Sequence, residues 1–421
     1  MNNYTFEGKL KSTLIGFMAI GVVSMLITFM GDDALHTRFW SNFLHNSLFF
    51  TGISLMAVFV MSAFILSWAG WYTGMKRVWE AMVGFLVVGT VLMLIIALGN
   101  YMGFHSLYHW NDAHSLAEDA ALRGKSLFLN KGAYLFGTIL TLGFGWFIGS
   151  KIRSLSLQEE NDTTDTTFKY HHKMRVYGGM FLPIFGYASV LMIWLWLMSL
   201  DAHWYSTLFA WKATVSWFVA LIALTILILI YLQGKGYYKN ITVEHLHDLG
   251  KFLFAFSIFW TYMWFSEYML IWYSNNGEET VYFHTRRTDF NVLWIANVII
   301  NFVLPFIVLL PNSTKRYRGL LVFMSIALLF GHWIDYFLMV KPGALHTAHE
   351  LMAAGAEHGH EAMEHGHSFV AGFTLPGLLE LGTFIGFLGL FLFVFFSNLS
   401  KATLVSKKDP YYEESLHHHV I

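Results

Sequence analysis

Acidic side chains inside apolar runs are the first residues in this chain able to do chemistry, and we read two: Glu267 and Asp335, with His332 one turn before the latter. A carboxyl group at mid-helix in hydrocarbon costs roughly 2.5 to 3.5 kcal/mol, which favours an acid that is protonated, paired or in contact with water. Glu267 and Asp335 stand six and five residues before the outer ends of their predicted helices. Both therefore lie about 8 to 9 Å below the outer boundary, in one layer. His332 and Asp335 share a helical face and suit proton relay. The plainer alternative is a set of polar residues satisfied by bonds between helices. A second constellation is Leu200-Asp201-Ala202-His203-Trp204-Tyr205-Ser206. Asp201 and neutral His203 can accept hydroxyl protons, and Trp204 and Tyr205 can wall a flat ring. The same residues also fit an interfacial aromatic belt with a helix cap. Lys76-Arg77-Val78-Trp79-Glu80 fits boundary anchoring with a first-turn acid. The run from His346 to His367, with His349, His358, His360 and His365, has spacings open to a transition metal or to a solvated tract.

The elements that carry these residues are set by composition. Of 421 residues, 56% are hydrophobic and 13% charged, and mean hydropathy is +0.51. That places the chain outside soluble globular domains. With no cysteine it has no disulfide, thiolate-bound iron-sulfur cluster or c-type haem attachment of its own. Intramembrane histidine is too sparse for a bis-histidine haem, so tightly bound cofactors are expected in partners. The net charge of -1 points away from nucleic acid.

Apolar runs predict an all-α integral membrane protein of about ten spans: Ser12 to Met30, Phe43 to Trp68, Ala81 to Met102, Gly132 to Gly149, Val176 to Leu200, Leu208 to Leu232, Leu253 to Tyr273, Val292 to Leu310, Leu320 to Val340 and Leu375 to Phe396. The first run lacks a cleavable signal pattern and is read as a retained span. Lys and Arg divide 18 to 8 in favour of the side of the N-terminus, all at or beyond span ends. Both termini are therefore expected in the cytoplasm. Asp33-Ala34, His36 and Trp40-Ser41 before the second span are echoed by Asp201 to Ser206 before the sixth. The echo predicts two parallel four-helix repeats, spans 2 to 5 and 6 to 9, within 31–200 and 201–340, flanked by spans 1 and 10. The membrane domain is expected over 1–400, with a polar cytoplasmic linker from Ser154 to His172, an outer loop over 341–374 and a cytoplasmic tail over 401–421.

Several segments resemble a known family. Ala69-Gly70-Trp71, Arg77-Val78-Trp79-Glu80-Ala81-Met82, Ser199 to Phe209 with its Asp201, His203, Trp204 and Ser206, His247-Asp248-Leu249-Gly250-Lys251, Ser266 to Tyr273 and Glu278-Glu279-Thr280 look like the membrane subunits of alternative complex III. That complex is the bacterial quinol:cytochrome c oxidoreductase whose membrane subunits are related to polysulfide-reductase (NrfD-type) proteins. Ten spans make the chain most similar to the ActF-type subunit. Trp79 and Gly277 stand where the family pattern has proline, and Glu267 where it has glutamine. The resemblance implies a pentahaem cytochrome c, an iron-sulfur subunit, a sister quinol-binding membrane subunit, a monohaem cytochrome c and a neighbouring terminal oxidase in a bacterial inner membrane. It implies quinol or menaquinol as substrate, with haem c and iron-sulfur clusters in the partners. For a subunit of this kind it implies proton translocation or a structural role at least as readily as quinol oxidation, while this chain's own residues point to quinol or proton contact at Asp201, His203, Trp204 and Tyr205 and to proton transfer at Glu267, His332 and Asp335. The residues by themselves equally permit a proton-coupled secondary transporter.

Overall fold

The computed structural model describes residues 3–162, 164, 167–356 and 374–419. Helix dominates because backbone groups in an apolar solvent must bond within their own segment. The long helices are α1 Gly8–Met30, α2 Thr37–Leu66, α3 Thr73–Met102, α4 Lys131–Asn161, α5 Lys169–Trp196, α6 Thr207–Gly234, α7 Val243–Ser274, α8 Asn291–Leu309, α9 Arg318–Ala356 and α10 Leu378–Leu399. Among the described residues, nine of these are long and apolar enough to cross a membrane. The remaining one, α7, has 32 residues. Trp260, Tyr262, Trp264, Glu267, Tyr268 and Trp272 dilute its apolar character. It nevertheless crosses the bundle: His245 near its start meets the C-terminal tail, and Glu267 near its end meets Ser206 at the head of α6.

Packing follows the exposure of each helix. The apolar stretches of α2 and α6 are 83% buried and form the centre, whereas those of α1 and α8 are 28% buried and lie at the edge. Helix α2 packs on α3, α3 on α4, α4 on α5, and α5 returns to α2. The second set closes in the same order, α6 on α7, α7 on α8, α8 on α9, and α9 on α6. The two rings meet where α2 touches α6 and α9, and where α5 touches α6. Helix α1 runs along α10, and at their crossing a Cβ on Gly21 would stand 2.5 Å from the Gly386 Cα. Only hydrogen fits there, which lets the two backbones approach closely.

Several boundaries differ from the sequence expectation. Helix α4 continues to Asn161, so the first half of the expected linker is helix; its Asp165 lies outside the described residues. Helix α9 runs past Val340 to Ala356 and places His346 and His349 on a helix rather than a loop; His358, His360, His365 and His367 lie outside the described residues. Asp335 is consequently far from the end of its helix, and its depth cannot be counted from Val340. Helix α8 contains a π-turn at Ile299–Val303. The tail folds back on the face where Asn3 bridges Thr403. There Asp409 bonds Lys76 at 2.5 Å, Ser415 bonds His245, and His418 bonds Asp248.

Candidate functional site

The second ring encloses a chain of polar groups built on α6. Lys212 and Ser216 are four residues apart on α6 and face inward, about 6 Å apart along the axis. Lys212 Nζ donates to Glu267 Oε2 of α7 at 2.6 Å, and Ser206 Oγ, which also caps α6, donates to Oε1 at 2.8 Å. One turn further, Ser216 Oγ donates to Asp335 Oδ2 of α9 at 2.8 Å. Trp260 Nε1 shares that oxygen at 2.9 Å, and Asn297 Nδ2 donates to Oδ1 at 3.0 Å. Asn301, inside the π-turn of α8, donates to Asn297 Oδ1 at 2.6 Å. All four helices thus contribute, and Glu267, Lys212, Asp335 and Asn301 are all buried.

The two acids differ in how they are compensated. Glu267 is neutralised by an ammonium group, whereas Asp335 meets neutral donors that stabilise charge without cancelling it. His332, fully buried, stands edge-on to Trp260 with ring centroids 5.6 Å apart, and neither ring nitrogen finds a partner among the described residues. Buried imidazole nitrogens normally bond protein or water, so His332 stands apart from the satisfied groups around it.

The Asp201 to Tyr205 segment, expected as one ring-binding site, is shared between two cavities: Asp201, His203 and Trp204 line one, and Trp204 and Tyr205 the other. Asp201 Oδ2 accepts from Arg286 at 2.9 Å. The Arg286 guanidinium lies 3.3 Å over the Tyr282 ring and donates also to the carbonyls of Leu338 and Tyr282. Trp204 stacks on Tyr282 at 3.8 Å and is buried. His203, which lines the same cavity as Asp201, bonds Asp119; that bond holds the Asp119 carboxyl down at about 2. Tyr205 is exposed. Trp204 becomes a partition between two cavities. One, of about 420 Å³, is edged by Asp201, His203, His109, His346 and Glu350. The other, about 460 Å³ and mostly apolar, lies against Phe128, Trp194, Tyr205 and Ser206. Ser206 links this second cavity to Glu267.

Basic residues assigned by sequence to span ends are partly interior. Lys212 is buried against Glu267, Arg286 is buried over the Tyr282 ring, and Lys341 donates to Ser41 and Asn42 of α2. Glu380 corrects the reading of Glu267 and Asp335 as the exceptional acids. It lies within the predicted tenth span, is buried in α10, and makes a two-pronged ion pair with Arg38 at 2.7 and 2.9 Å. Its position in an apolar run was the available signal. For Lys212 the signal was its place five residues inside α6, opposite an acid. Among the described residues no group of three or more His, Asp or Glu is placed to hold a metal ion. A scan of protein-family models matches none of them to this chain, and a search of curated proteins finds no match.

Proposed function

We propose that the chain is a membrane subunit of a respiratory quinol:cytochrome c oxidoreductase of the alternative complex III kind, and that α6 to α9 form its proton-handling unit. In this reading it crosses a bacterial inner membrane ten times with both termini in the cytoplasm. The rings α2 to α5 and α6 to α9 are parallel repeats, a reading supported by their identical order of packing. Quinol oxidation releases two protons and two electrons. With no cysteine in the chain, the electrons pass to haem c and iron-sulfur clusters in partner subunits. The observation that carries the proposal is a pair of polar groups one turn of α6 apart, Ser206 and Lys212 on Glu267 and Ser216 on Asp335, the first of them beside an apolar cavity. Ser206 can pass a proton from that cavity to Glu267, and Lys212 and Asp335 offer the next sites inward. Asp201 and His203, bonded to Arg286 and Asp119, line the neighbouring polar cavity, where water can carry protons away.

The test is purification of the tagged chain from its native membranes. It should bring down c-type haem and iron-sulfur partners, and Asp335→Asn should leave that assembly intact while slowing quinol-driven cytochrome c reduction. A chain that purifies alone and moves a solute would be a transporter. One observation favours a structural reading for part of the site: Glu267 is already paired with Lys212.

A further inference from the structure

At the face that carries both termini, α3, α4 and α10 converge on Arg153. Its Nη1 donates to the Glu80 carbonyl at 3.0 Å and its Nη2 to the Asn398 carbonyl at 2.7 Å. These two bonds use only part of a five-donor fork. The convergence is tight at Gly84, where a Cβ would stand 2.0 Å from Asn398 Nδ2. Beside that contact a cleft of about 530 Å³ opens between α3 and α4. Its polar part is formed by Arg153, Lys401, Ser154 and Gln158, and its apolar part by Val87 and Leu157. No carboxylate is among its described lining residues. Below the cleft the exposed side chains of α3 are apolar: Val87 is 50% exposed and Val91 54%. The cleft therefore presents cations and hydrogen-bond donors at one end and opens onto a bare hydrocarbon surface at the other.

We propose that this cleft binds an anionic phospholipid of the leaflet on that face. Arg153 and Lys401 hold the phosphodiester, Ser154 and Gln158 donate to the headgroup, and an acyl chain lies along Val87 and Val91. Guanidinium and ammonium groups together match a phosphate, the first through its fixed fork and the second as a point charge. Basic pockets between membrane helices are the usual seat of such headgroups. A soluble anion would use the cations but leave the valine surface unused. A protein partner would have to enter below the polar boundary to cover it.

The experiment uses the purified, delipidated full chain in a neutral detergent, with its thermal unfolding midpoint followed as lipid is added. Phosphatidylglycerol should raise the midpoint saturably, while phosphatidylcholine and inorganic phosphate should not. Lys401→Gln, at an exposed position that leaves the Arg153 bonds intact, should raise the half-saturating lipid concentration roughly fivefold, the factor for one cationic contact. Val87→Trp should abolish the response by filling the apolar end. Lys151→Gln, which removes a nearby cation that does not line the cleft, should change nothing. Equal stabilisation by both lipids, equal effects of the Lys151 and Lys401 variants, or an unaltered response in Val87→Trp would overturn the proposal. So would no lipid response at all with Lys401→Gln lowering recovery of a partner subunit, since that assigns the cleft to a protein interface.

Discussion

The two helical rings have the same order of packing and treat charge in opposite ways. In α2 to α5 the interior contacts are neutral: Tyr108 with Tyr134, Trp196 with Thr138, and Asn46 with its own helix. The charges of that ring gather at its ends, as Lys76, Arg77, Glu80 and Glu159 on one face and Arg38 with Glu380 on the other. In α6 to α9 the ionisable groups Lys212, Glu267, His332 and Asp335 sit inside. Neutral hydrogen bonds specify packing at little risk, whereas buried ionisable groups incur desolvation and are retained where they carry protons or fix a unique arrangement. On the proposed function the first ring is inert and the second handles protons. His45, in α2, bonds the Trp333 carbonyl of α9 and belongs to the junction between them.

The comparison is broken most severely at Lys212. Lys212→Met strands Glu267 as an unpaired buried acid and should cost about 3 to 5 kcal/mol, read as a lowered unfolding midpoint in detergent. Adding Glu267→Gln should recover most of that loss. If the double variant also recovers quinol-driven turnover, the pair is structural; if stability returns and turnover does not, Glu267 carries protons.

Asp335→Asn keeps an acceptor oxygen for Ser216 and Trp260 and turns its new N–H2 toward Asn297, whose amide can rotate to accept, so assembly should be unchanged. Turnover should fall by about a hundredfold, the scale of losing one positioned acid or base. Normal turnover would place the chemistry elsewhere and erase the contrast between the rings.

In the neutral ring, Tyr134→Phe removes the bond to Tyr108 at a cost of about 1 kcal/mol and should leave turnover untouched. A large loss of activity would show that the first ring is not inert.

The smallest effect is expected at the tail. Burial pushes the Asp409 carboxyl up, but Lys76, the Tyr411 N–H and His171 outweigh it and hold it below its ordinary 3.8. A depressed carboxyl stabilises the docked tail fully above that ordinary value and loses the contribution as pH falls from there through the lowered value of the docked state. Protease cleavage in 401–419 should accordingly accelerate at pH 3 relative to pH 6, and Asp409→Asn should flatten the difference.

Hydrophobic runs and their spacing by themselves determined that the chain is helical, where the apolar part of each long helix lies, and that acids at 267 and 335 were out of place. Those readings depend on local composition, since a segment in lipid must satisfy its own backbone whatever surrounds it. Partnership is not local. That Lys212 faces Glu267, that Arg286 pairs with Asp201, that Trp204 divides two cavities, and that the tail buries Asp409 all follow from helices far apart in sequence meeting at particular rotations about their axes. Periodicity describes which face of a helix is polar, but only tertiary packing decides which polar face it meets. In a low-dielectric interior that meeting determines whether a charged residue is an anchor, a strut or a proton carrier.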